Sequence, residues 1–226
     1  MADPHRHPPG EAEIGPNAVL QTVRVIDERL GREVSAAILS EAGLSELPSG
    51  ECMIREADAL ALHRAIARRL PREADAIARE AGGATADYII AHRIPGAARA
   101  LLRVLPAPLA APMLMAAIRR HAWTFVGAGR FTPHGGWSFS VDRSRAGDDC
   151  APPPSLFEWY AAVFTRLFGE LVAEGSACRL LPMDREHGGF SRDYRIERHR
   201  VAFDRDAVPF AAGRTEPSQG GRISTF

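Results

Sequence analysis

The sequence predicts an α+β fold: a helical N-terminal two-thirds, then a small antiparallel sheet packed with an aromatic helix. Three observations predict it. Up to about residue 130, apolar side chains recur at spacings of three and four, enough for six or seven helices. After Gly129 the period drops to two, and "WSFSV" (137–141) puts Trp137, Phe139 and Val141 on one face. The richest amphipathic stretch, "SLFEWYAAVFTRLFGELV", follows that strand, so helices and strands are segregated rather than alternating.

The elements follow in order. Residues 1–13 are polar and contain Pro and His, and are expected to be disordered. "IGPNAVLQTVRVIDERLG" reads as a helix with Asn17 as N-cap and Gly31 as terminator. "REVSAAILSEAG" gives a shorter helix, and "LSELPSGECM" a loop. "READALALHRAIARRL" (55–70) presents Ala59, Leu62, Ile66 and Leu70 on one face; Pro71 and Arg72 break it. "EADAIAREAGGATADYIIAHRI" carries Ile77, Ala81, Tyr88 and Ile89 inward; its Gly82-Gly83 marks either a close neighbour or a kink. "GAARALLRVL" and "LAAPMLMAAIRRHAWTF" are two further helices, separated by "PAP". "RFT" is placed to pair with 137–141 across "PHGG", and "DRSRAGDDCAPPPS" is a surface connection. In the aromatic helix Ser155 and Glu158 form a capping box. "RDYRIERHRVAF" fits a strand or a charged helix, and "AGRTEPSQGGRISTF" a tail. The divisions are a disordered 1–13, a helical region 14–130, an α+β region 131–200 packed on it as one unit, and a flexible tail 201–226.

Composition excludes several classes. The 226 residues carry no net charge, so no global field draws the chain to nucleic acid. All 28 basic residues are arginine, so no lysine serves a Schiff base or a phosphate loop. Cys52, Cys150 and Cys178 are too far apart for a metal-ligand motif, and no metal site is expected. No secretory h-region and no bilayer-length apolar run is visible, so a cytoplasmic location is expected, with peripheral association to a membrane left open. "GAG" at 127–129 lacks the third glycine of a dinucleotide fingerprint and follows a helix, not a strand.

"RRHAWTFVGAGRF" (119–131) holds the most suggestive constellation. On a continuous helix Phe125 returns near the face of His121, while Trp123 points away. A neutral His121 imidazole suits a metal such as the magnesium of a chlorin, with Phe125 as a stacking surface. Arg119, Arg120 and Arg130 suit a propionate carboxylate, as do Arg93 and the pair Arg99 and Arg103. Tyr88 and His92 stand one turn apart, as core packing or as a proton relay. The bland alternatives are a helix-end histidine bonded to carbonyls and solvated arginine faces.

"AGGATADYIIAHRIP" (81–95), "RRHAWTFVGAGRF" and "WYAAVFTRLFGELV" (159–172), with the opening "IGPNAVLQTVRVIDE", resemble the bacteriochlorophyll 4-vinyl reductase family over residues 13 to 175. The resemblance implies a 4-vinyl reductase domain, related in fold to vesicle-tethering subunits and haem-based gas sensors. It implies reduction of the C8 vinyl group of divinyl (proto)chlorophyllide, binding of that Mg-tetrapyrrole, work alongside other bacteriochlorophyll-pathway enzymes, and peripheral contact with the photosynthetic membrane. The family's closing strand carries paired cysteines; here "EGSACRLLPMDREHGG" keeps Cys178 alone.

Two functions follow. A reductase adds hydride and proton across the vinyl bond and needs a reductant such as NADPH, for which no binding motif is visible; the cofactor is unknown. A non-catalytic carrier would hold the pigment between helices and sheet and deliver it to a separate reductase.

Overall fold

The computed structural model describes residues 12–44, 46–144, 151–182 and 189–198. Strand β1 (Glu13–Ile14) leads into α1 (Asn17–Leu30) and α2 (Arg32–Glu41). Strand β2 (Ile54–Arg55) runs directly into α3 (Glu56–Arg69), followed by α4 (Ala74–His92), α5 (Gly96–Val104), α6 (Ala107–Arg120) and the single turn α7 (Trp123–Val126). Then come β3 (Arg130–Pro133), β4 (Ser138–Asp142), α8 (Pro154–Leu171), β5 (Ser176–Leu180) and β6 (Ser191–Arg198). The fold class is α+β with small antiparallel sheets, as the change of period predicts.

The larger sheet has the order β3-β4-β6-β5, with every pairing antiparallel. The expected hairpin forms with Phe131 opposite Val141. The ambiguous "RDYRIE" is a strand, and an interior one. Tyr194 and Ile196 alternate inward with Asp193 and Arg195 facing out. Tyr194 stacks on Phe139 at 4.6 Å between centroids, and Phe139 on Phe164 of α8 at 4.0 Å. The arginines that disguise the strand lie over rings: Arg192 over Phe157 and Arg198 over Trp137.

Helix α8 is the hub, buried against the sheet on one side and α4 on the other. A Cβ on Gly82 would overlap the carbonyl oxygen of Trp159, so Gly82 marks a close approach in an unbroken helix.

Four local expectations are corrected. Ala12 and Glu13 are not disordered: Ala12 is buried, its carbonyl accepts from the Glu56 N–H, and Glu13 pairs with Arg55. Asn17 is not a cap, because Pro16 precedes the helix and already has helical dihedrals; Asn17 Oδ1 accepts from Gln21 instead. The Ser155–Glu158 capping box does not form, because α8 starts one residue earlier on Pro154, leaving Ser155 inside the first turn and Glu158 paired with Arg79. The helix through "RRHAWTF" breaks at His121 and Ala122, where α6 ends in a turn. The expected tail 201–226 lies outside the described residues.

Candidate functional site

Two places in the molecule concentrate chemistry, one on each side of α8.

The first is a buried polar cluster where α3, α7, the end of β4 and α8 meet. Glu56 is the first residue of α3, forced inward because β2 enters the helix without a loop. Its Oε1 lies 2.5 Å from Nη2 of Arg143, and both side chains are almost wholly buried. Its Oε2 accepts from the Ala128 N–H at 2.9 Å. This explains "GAG": Gly127 has φ +54°, and a Cβ there would overlap the Glu56 carboxylate. The Arg143 guanidinium also donates toward the Tyr160 hydroxyl at 3.3 Å, and that hydroxyl donates to the Phe125 carbonyl at 3.0 Å. Burial by itself would lower the Arg143 pKa; Tyr160 and Glu56 outweigh it and hold the guanidinium above its ordinary value. Burial pushes the Tyr160 phenol up.

His63, one per cent exposed on the inner face of α3, is lowered to about 4 by burial and then by the Arg143 charge. It is therefore neutral at pH 7. Its Nε2, Nε of Arg143 and the Trp159 indole Nε1 have no hydrogen-bond partner among the described residues. All three side chains line a cavity of about 20 Å³, with Ile14, Ala18 and Phe125 on its apolar walls. That space takes about one water, not a macrocycle.

The second place is a groove of about 450 Å³ along the other face of α8. Ala161, Ala162, Thr165 and Gly169 form its floor, Gly83 of α4 one wall, Ser176 and Cys178 of β5 the other. The floor is low because every residue on it is small, and a Cβ on Gly83 or Gly169 would meet nothing. Arg79 and Arg166 stand at the rim, half exposed, paired with Glu158 and with Asp87 and Glu170. The Thr165 hydroxyl accepts the Cys178 N–H at 2.9 Å, fixing β5 as a wall. Burial pushes the Cys178 thiol well up, away from thiolate chemistry.

Of the candidate ligand-binding residues singled out in the sequence, only Phe125 reaches either place, as an apolar wall of the small buried cavity. His121 is exposed at the end of α6, and the helix break there takes it off the face of Phe125. Phe125 packs inward against Phe131, Tyr160 and Phe164. Arg119, Arg120 and Arg130 are exposed, and Trp123 is half-buried. Tyr88 and His92 meet ring to ring at 4.7 Å with Arg93 over the Tyr88 face, a cluster at the surface rather than in the core. Arg103 bonds Glu170 instead of sharing a carboxylate ligand with Arg99.

Sequence reasoning missed Glu56, His63, Arg143 and Tyr160. One signal was present: His63 falls within the apolar stripe of "ALALHRAIA", where a polar ring needs a reason. Nothing in the sequence ties Glu56 to Arg143 across 87 positions.

No family model matches the chain. It is 45% identical over 164 residues to the bacteriochlorophyll synthase 23 kDa chain of Rhodobacter capsulatus, covering 72% of this chain and 76% of that protein. It is 42% identical over 163 residues to the chain of the same name from Cereibacter sphaeroides, covering 70% and 78%. Among solved structures, an Fe(II) unliganded H-NOX protein mutant from K. algicida shares the fold at TM-score 0.56 and 14% identity, over 84% of this chain and 99% of that one. An H-NOX structure solved to probe heme distortion aligns at TM-score 0.53 and 12% identity, over 84% and 98%. The α+β fold is therefore that of H-NOX proteins, where the sequence resemblance implied a 4-vinyl reductase domain. At the level of sequence, the chain belongs to the family of the bacteriochlorophyll synthase 23 kDa chains, and so to the bacteriochlorophyll pathway.

Proposed function

We propose that this protein holds a Mg-tetrapyrrole of the bacteriochlorophyll pathway in the α8 groove and presents it at the step that reduces the C8 vinyl group. The groove carries the reading. Its volume of about 450 Å³ lies in the range of small-molecule sites, whereas the buried cavity is more than tenfold too small. A floor of Ala161, Ala162 and Gly169 offers a flat apolar surface for a flat ring. Arg79 and Arg166 are placed to exchange a surface carboxylate for a propionate, at little cost because exposed ion pairs contribute ~0–1 kcal/mol. The fold shared with an H-NOX protein studied for heme distortion supports a macrocyclic ligand.

The carrier role rests on the groove itself, whose apolar floor and rim arginines suit holding a pigment and whose one thiol is buried and unreactive. The reductase reading keeps the support of the four vinyl-reductase-like stretches.

The test uses Gly83→Leu and Gly169→Leu. Both fill the groove, and both replace glycine in a helix, which raises stability by up to about 1 kcal/mol. Titration with divinyl protochlorophyllide, followed by the Soret shift, should show at least tenfold weaker binding with an unchanged or higher melting temperature. His121→Ala should bind like the wild type. Undiminished binding by the glycine variants removes the pigment from the groove. A repeat with NADPH decides the role: loss of the vinyl group by the isolated protein makes it the reductase.

A further inference from the structure

Between Asp87 and Asp142 the chain has no carboxylate and carries six arginines: Arg93, Arg99, Arg103, Arg119, Arg120 and Arg130. A chain with no net charge has therefore gathered one strongly cationic segment. Many arginines elsewhere pair with carboxylates, among them Arg24, Arg29, Arg55, Arg68, Arg79, Arg143 and Arg166. In the cationic segment only Arg103 has such a partner among the described residues.

The same segment exposes the apolar surface that the rest of the fold hides. Helices α5 and α6 form a hairpin joined by Leu105 and Pro106. Leu102 faces α8, and Ala110, Ala111, Leu114 and Met115 face the interior. The opposite stripes are apolar too, and bare. On α5 they are Ala97, Leu101 and Val104, at helical spacing. On α6 they are Leu109 and Met113, continuing through Ala116 to Arg120. Val104 at the junction is 84% exposed, Leu109 55% and Leu101 50%. Of five large hydrophobics exposed among the described residues, four lie on this hairpin. Arg93 stands where the hairpin begins and Arg119 and Arg120 where it ends.

An apolar stripe flanked by arginines without carboxylate partners matches an interface of hydrocarbon beneath a layer of phosphates. No helix among the described residues is long and apolar enough to cross a membrane. We propose that the α5–α6 hairpin docks the protein onto the surface of an anionic bilayer, with Leu101, Val104, Leu109 and Met113 in the headgroup–acyl boundary and Arg93, Arg119 and Arg120 on lipid phosphates. This surface is separate from the α8 groove and does not depend on what the groove binds.

Co-sedimentation of the full chain with vesicles tests it. Phosphatidylcholine vesicles containing phosphatidylglycerol should retain the protein, and pure phosphatidylcholine should retain far less. Raising the salt should weaken retention. Arg119→Gln and Arg120→Gln should each lower the partition about fivefold. Val104→Glu with Met113→Glu should lower it more than tenfold without moving the melting temperature, since both side chains are already in water. Absent retention on anionic vesicles, or equal retention of the Val104→Glu/Met113→Glu variant, overturns the proposal. So does a dimer on size exclusion that Val104→Glu splits while vesicles bind nothing, because a second copy then covers the hairpin.

Discussion

Glu56 and Arg143 form an ion pair whose two side chains are both almost wholly buried. A buried ion pair broken on one side leaves a charge in a medium that cannot solvate it. Glu56→Gln should therefore cost about 3–5 kcal/mol, read as a lower urea midpoint at unchanged slope. The same cluster makes the protein acid-sensitive. His63 is held near 4 in the fold, below its ordinary 6.5. Between those values the unfolded chain binds the extra proton, so stability rises with pH across the window and is lost as pH falls from 6.5 toward 4. The full loss is about 3 kcal/mol. His63→Leu should flatten that part of a stability–pH curve; an unchanged curve would mean the ring titrates normally.

At the scale of elements, adjacent glycines separate packing from propensity. Gly82→Ala places a methyl group against the Trp159 carbonyl and the Ala162 side chain, and should cost about 1–3 kcal/mol. Gly83→Ala meets open space and should stabilise by up to about 1 kcal/mol. Thermal melts of the two variants should move in opposite directions. The sequence left "GG" open between a close neighbour and a kink, because the neighbour, α8, comes from a distant part of the chain. Helix α6 shows the complementary limit. Its apolar period continues past Arg120, so the break at His121 is invisible to periodicity, and with it went the pairing of His121 and Phe125.

At the scale of the whole molecule, the last strand closes the sheet. β6 lies between β4 and β5 and supplies Tyr194, stacked on Phe139 and donating its hydroxyl proton to the Phe157 carbonyl. A chain ending at residue 190 would leave β4 and β5 without a shared neighbour and uncover Phe139. It should show no cooperative unfolding transition by circular dichroism. A sharp melt from that truncation would mean the helical layer folds without the sheet.

Local pattern was enough to specify the α+β class, the β3–β4 hairpin and seven of the helices, because each is written in a period that its own residues must satisfy. Leu62 and Ile66, or Phe139 and Val141, declare a face within one short window. The family resemblance pointed to the bacteriochlorophyll pathway from short stretches alone. Where polar groups and empty space would lie was settled by the packing of distant elements. A buried carboxylate needs a partner from anywhere in the chain, and a groove forms where two elements fail to fill the space between them. Glu56 with Arg143, and Gly83 with Gly169, are such pairs. Their meaning depends on distances across the fold that no local pattern records.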